Sequence, residues 1–139
     1  MKMSETTIKR VLLVDDYDMT RALLKIILHS DHFEVVGEAS NGEQALSMVS
    51  KVKPDIILLD VVMPKMNGLQ TLIKLKEMGF AGMIFMLTNE SEREVVEQAM
   101  KLGANGFIAK PFNAHSIMEV LLKEHDKFVL QAAGSFKPR

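Results

Sequence analysis

An α/β domain with a parallel sheet and helices on both faces is the fold that the sequence predicts, and three observations predict it. Short apolar runs stop at acidic or hydroxyl residues, amphipathic segments lie between those runs, and strand and helix alternate five times with a helix at the end. Right-handed strand–helix–strand crossovers turn such an alternation into a covered parallel sheet.

The first run, Val11 to Val14, precedes Asp15 and Asp16. Ile56 to Leu59 precedes Asp60, and Met83 to Leu87 precedes Thr88. Each is too short for a helix and lacks polar alternation, as do strands buried on both faces. Phe33 to Ala39 and Gly106 to Ala109 are weaker strand candidates. Helices fill the gaps. Leu23, Ile26 and Ile27 mark one face of a segment from Met19 to His29. Ala45, Val49 and Val52 follow Asn41-Gly42, and Leu69, Leu72 and Ile73 follow Asn67-Gly68. Val95, Ala99 and Leu102 follow Ser91, and Ile117, Val120 and Leu121 follow Asn113. Spacings of three and four are the amphipathic signature. Asn and Ser near the starts can cap free amides, and Gly79 and Gly103 sit where helices stop.

The chain has 139 residues, 17 Lys+Arg against 18 Asp+Glu, 47% hydrophobic residues and no cysteine. That length suits one domain. The composition is that of an ordinary globular protein and excludes wholesale disorder. A net charge of −1 gives no support to a nucleic-acid or membrane-surface binder. Without cysteine there is neither a disulfide framework nor a thiolate metal site. No apolar run approaches the ~20 residues of a membrane span, and the polar start is unlike a secretory signal, so the expected location is cytoplasmic. The predicted domain runs from Ile8 to His125, after a short polar head (1–7) and before a tail or linker stub (126–139) that carries Lys127, Lys137 and Arg139.

In a parallel α/β sheet, ligands bind outside the carboxyl ends of the strands, where strand order reverses. Here those ends carry Asp15, Asp16, Asp60, Thr88 and Lys110. Singly, each has a blander role: Asp and Thr cap turns and helices, and a lysine before Pro111 is a surface charge. Jointly, they place three carboxylates, a hydroxyl and an ammonium on one rim. Converging carboxylates repel one another, and a divalent cation resolves the conflict. An all-oxygen set suits magnesium better than zinc. Asp60 stands alone at its strand end, which makes it the candidate covalent acceptor of a phosphoryl group. Lys110 and the metal would neutralise the charge on the transferring oxygens. The 11 methionines are read as core filler, and the four histidines show no metal-ligand spacing.

The segments VLLVDDYDMTRALL, PDIILLDVVMPKMNGLQ, MLTNE and GANGFIAKPF resemble the landmark segments of CheY-like response-regulator receiver domains. The resemblance implies a flavodoxin-like five-stranded sheet in the order 2-1-3-4-5. It implies that Asp60 accepts a phosphoryl group from a histidine kinase or a histidine phosphotransfer protein. Asp15, Asp16, Asp60 and the main-chain carbonyl of Val62 would hold Mg, and Lys110 would pair with the phosphoryl oxygens. Thr88 and Phe107 match the switch pair, Pro64 and Gly68 match the loop after Asp60, and Pro111 follows a peptide that is cis in the family. Partners would be the kinase or phosphotransfer protein and a downstream protein, reached through the last helix, the last strand and the helix before it. No direct nucleic-acid or membrane contact is expected, and the chain would be a monomer or a phosphorylation-linked homodimer.

Four positions depart from the family pattern: Asn89 stands where a small residue is usual, Val62 where a polar one is common, Glu90 is acidic, and Phe107 is a milder variation on Tyr. Val62 and Asn89 together are expected to hinder water and lengthen the phosphorylated lifetime. Three alternatives remain beside a single-domain switch that is not otherwise an enzyme. The chain could be an excised receiver of a longer, transcription-controlling regulator. It could also be a magnesium-dependent aspartyl phosphohydrolase, although the usual acid/base position, two past the nucleophile, is Val62. A pseudo-receiver is disfavoured by the intact acid set.

Overall fold

The computed structural model describes residues 8–133, with side chains for all of these but Glu90 and 124–133. The polar head and residues 134–139 of the expected tail, with Lys137 and Arg139, lie outside the described residues, as does the side chain of Lys127. Five strands, β1 (Lys9–Val14), β2 (Phe33–Ala39), β3 (Ile56–Asp60), β4 (Met83–Thr88) and β5 (Gly106–Ala109), alternate with five helices. The helices are α1 (Asp18–Leu28), α2 (Gly42–Val52), α3 (Gly68–Glu77), α4 (Arg93–Lys101) and α5 (Ala114–Ala133). A 3-10 turn, Glu90–Glu92, leads into α4. The sheet is parallel throughout, in the order β2-β1-β3-β4-β5, as the resemblance implied.

Side chains alternate across the strands and feed two cores. Leu12, Val14, Ile57, Leu59, Ile84 and Met86 pack with α2, α3 and α4 on one face. Val11, Leu13, Ile56, Leu58, Phe85 and Leu87 pack with α1 and α5 on the other. β1, β3 and β4 are apolar on both faces because helices cover both, which explains their unbroken runs.

Local signals fix the helix ends. Asn41 accepts from Gln44 N–H at 2.8 Å, and Asn67 and Gln70 form a reciprocal capping box. Asn113 accepts from Ser116 N–H at 2.8 Å. Gly79 and Gly103 have φ of +86° and +108°, the left-handed geometry that glycine adopts without cost just past a helix.

α1 differs from expectation. Leu24 and Leu28 are buried, whereas Leu23 and Ile26 are 44% and 73% exposed. The helix carries two apolar stripes at helical spacing, and periodicity alone does not say which one the sheet covers. Leu24, Ile27 and Leu28 take the core, leaving Met19, Leu23 and Ile26 outside. α5 continues to Ala133, into the segment that the sequence suggests is a tail.

Candidate functional site at the carboxyl rim

Strand order reverses between β1 and β3: the chain leaves β1 for β2 on one side and returns to β3 on the other. The crevice at this reversal receives the ends of both strands. Asp15 and Asp16 follow β1, and Asp60 closes β3. Each offers a carboxylate oxygen, and these atoms lie within 4.8 Å of one another. Asp15 is wholly buried, Asp60 is 5% exposed and Asp16 faces solvent.

Lys110 follows β5 and reaches back to the same crevice. Its Nζ lies 3.2 Å from Asp60 Oδ1 and 3.5 Å from Asp15 Oδ2. Asp15 Oδ1 accepts the Tyr17 N–H at 2.8 Å, so both of its oxygens are engaged. The Lys110 N–H bonds the Thr88 carbonyl at 2.6 Å, and the Lys110–Pro111 bond is cis, as the resemblance implied.

Burial and then the Asp15 charge push the Asp60 carboxyl up to about 6, while Lys110 and the Val62 N–H pull the other way. Lys110 itself titrates above its ordinary value: burial opposes its charge, but Asp60 and Asp15 outweigh it. The set is therefore short of positive charge. Three carboxylates share one ammonium, and an all-oxygen donor set open to solvent through Asp16 fits a hard divalent cation.

The loop after Asp60 is shaped by close packing. Gly68 N–H bonds the Val61 carbonyl at 2.8 Å, and a Cβ on Gly68 would stand 2.2 Å from the Asp60 carbonyl oxygen. Only glycine lets α3 begin this close to the end of β3. Val62 is 58% exposed, and its N–H bonds the Asp60 carboxylate.

The expected switch pair lies at the far side of the rim. Thr88 is 4% exposed, and its Oγ1 lies 3.0 Å from Glu92 Oε1 and 3.0 Å from the Asn89 carbonyl. Phe107 is half exposed. Between them, α4 and β5 leave a hollow of about 590 Å³, lined by Thr88, Val96, Met100, Phe107 and Ala109 among others. The Asn89 side chain is engaged within its own turn. Its Oδ1 accepts from Ser91 N–H (3.1 Å) and Ser91 Oγ (2.6 Å), capping the 3-10 turn.

Two residues of this site escaped the sequence reading. Arg21, on α1, donates to the Asp15 carbonyl, to Asp18 and, at 2.9 Å, to Glu38 Oε1. Lys25 and then Arg21 hold the Glu38 carboxyl below its usual range, against burial. Nothing local marks Arg21, because β2 supplies its partner. Glu92 was legible, since Asn89-x-x-Glu92 is a capping-box pattern.

Fold and site together define a doubly wound α/β domain whose switch point carries an acid cluster flanked by lysine. A family model described as the response regulator receiver domain matches residues 11–122. The chain is 39% identical over 113 residues to the chemotaxis protein CheY of Halobacterium salinarum, covering 81% of this chain and 93% of that one. It is 41% identical over 112 residues to the nitrate/nitrite response regulator protein NarL of Escherichia coli K12, covering 80% of this chain and 52% of NarL. Among solved structures, the chemotaxis protein CheY4 of Vibrio cholerae matches with a TM-score of 0.77 at 30% identity, over 84% of this chain and 98% of that one. The signal receiver domain of NarL from Mycobacterium tuberculosis matches with a TM-score of 0.77 at 31% identity, over 84% of this chain and 94% of that one. The chain belongs to the response regulator receiver domain family, the phosphoacceptor switches of two-component signalling.

Proposed function

We propose that Asp60 is the phosphoacceptor and that the reaction depends on magnesium held by Asp15, Asp16, Asp60 and the Val62 carbonyl. The observation that carries this reading is the cluster itself: Asp60 lies within 4.8 Å of two further carboxylates and 3.2 Å from the Lys110 ammonium. Magnesium would supply charge neutralisation for the transferring oxygens. A carboxylate oxygen of Asp60 attacks phosphorus in line. The bond from phosphorus to the donor's imidazole nitrogen breaks, and the imidazole leaves with the electron pair. Lys110, already beside Asp60, stabilises the charge on the phosphoryl oxygens. The donor is a phosphohistidine of a histidine kinase or a histidine phosphotransfer protein.

Phosphorylation adds roughly two negative charges and strong acceptors. Thr88 and Lys110 are drawn to them. Movement of Thr88 lets Phe107 enter the hollow beside α4, and the face of α4, β5 and α5 is repacked for a downstream protein partner. The signal is a shift between two packings. The product is a cytoplasmic regulator, monomeric or dimerising on phosphorylation, that acts by protein contact and not on nucleic acid or membrane. Among the described residues no helix is long and apolar enough to cross a membrane. A phosphohydrolase reading lacks support, because Val62 has no proton to give or take where such an enzyme needs an acid/base.

The test is incubation with a small phosphodonor and magnesium, followed by intact mass. Wild type is expected to gain one phosphoryl group and Asp60→Asn none; equal gain in both would overturn the assignment.

A further inference from the structure

Thr88 is poised at the end of β4, yet its hydroxyl is already committed elsewhere. Its Oγ1 is 3.0 Å from Glu92 Oε1 and 3.0 Å from the Asn89 carbonyl. A hydroxyl has one proton, and a carboxylate is the stronger acceptor for it. The same Glu92 Oε1 accepts the Asn89 N–H at 3.0 Å, closing a capping box around the turn that leads into α4. One carboxylate oxygen therefore holds both the switch hydroxyl and the 3-10 turn that runs into α4, the helix whose face is to change.

We propose that Glu92 is a positioning residue that latches Thr88 in the resting state, so that the capping box of the 3-10 turn before α4 must give up the Thr88 hydroxyl before it can serve a phosphoryl group on Asp60. This rests on the assignment of Asp60 as phosphoacceptor. Two acceptors compete for one proton: the Glu92 carboxylate at rest, and the phosphoryl oxygens after transfer. When Thr88 leaves, Glu92 loses one of its two donors, and the first turn of α4 is loosened where Arg93 begins the helix. Val96 and Met100, one and two turns further on, line the hollow shared with Thr88 and Phe107. The latch thus joins the chemical event at Asp60 to the helix face that reports it, and its strength sets how much of the unphosphorylated protein already rests in the active packing.

Fluorinated phenylalanine placed at position 107 reads the inward fraction by fluorine NMR, with and without a small phosphodonor and magnesium. Glu92→Ala should raise the inward fraction of the unphosphorylated protein on the order of tenfold, the strength of a charge-assisted hydrogen bond. Glu92→Gln keeps an acceptor of lower strength and should raise it less. In a Thr88→Ala background neither change should matter, because no hydroxyl remains to be latched. A cap with only a structural role would have the same effect in both backgrounds, and that outcome overturns the proposal. So does an inward fraction unchanged by Glu92→Ala in a wild-type background that still gains phosphoryl mass. Should Glu92→Ala fail to fold, Glu92→Gln in the two backgrounds carries the same comparison. Absence of phosphoryl mass in the wild type would instead strike the Asp60 assignment.

Discussion

The Lys110 ammonium lies 3.2 Å from Asp60 Oδ1, bridging residues 50 positions apart in the chain. Parallel pairing makes this possible: β3, β4 and β5 lie side by side and end at one rim, so residues far apart in sequence meet across it. Lys110 is the cation that restrains a carboxyl otherwise raised by burial and by Asp15. Lys110→Met should therefore move the Asp60 titration above about 6. Carboxyl-carbon NMR of the metal-free protein checks this; an unmoved Asp60 would show that Lys110 does not set its charge.

The raised Asp60 carboxyl also fixes a pH dependence. The folded state holds its proton from the ordinary value of 3.8 up to about 6, where the unfolded chain has lost it. Metal-free stability should fall as pH rises through that window and level off above it, a cost still carried at neutral pH. A divalent cation pairs with the ionised cluster and offsets that cost. Magnesium should raise the melting temperature more at pH 7.5 than at pH 5, read by thermal denaturation with and without chelator. A larger rise at pH 5 would contradict the site.

Val62 and Asn89 are now separable. Val62 is exposed beside Asp60, whereas the Asn89 side chain is spent on Ser91. Val62→Asn should quicken loss of the phosphoryl group several-fold, by admitting a polar group that can orient water. Asn89→Ala should leave that rate near wild type and lower stability by about 1 kcal/mol, the usual worth of a cap. Decay followed by intact mass, with a melt for each variant, decides between them.

Arg21 fixes the acidic loop to β2. Its side chain is 12% exposed, and the guanidinium binds the Asp15 carbonyl and Glu38 together. Arg21→Ala should cost about 1–3 kcal/mol, since it strips a buried acceptor of its partner. It should also weaken magnesium binding several-fold by freeing the Asp15–Asp16 backbone. Asp18→Ala should do little, because that side chain is 91% exposed. Calorimetric titration with magnesium compares the two; equal loss in both would refute a role for Arg21 in placing the loop.

Much of this was legible in the chain. Runs such as Ile56–Leu59 showed strands covered on both faces, and the polar residue after each run showed the rim. Asn41, Asn67, Gly79 and Gly103 marked helix ends by chemistry that acts over three or four residues. The missing information was of longer range. Which stripe of α1 meets the sheet depends on how the whole helix docks, and the spacing of Leu23, Ile26 and Ile27 does not carry that information. Arg21 meets Glu38 only because β2 lies beside β1. Asn89 read as bulk near the phosphoryl group because its capping role depends on a turn that only the folded chain displays.

The most direct test of the account locates the modification. Borohydride reduces an acyl phosphate, so an aspartyl phosphate becomes homoserine, which fragment mass spectrometry can place. After treatment with a small phosphodonor and magnesium, homoserine is expected at position 60 and, without magnesium, nearly none. Homoserine at Asp15 or Asp16, or an unaltered Asp60 in protein that has gained phosphoryl mass, would contradict the account.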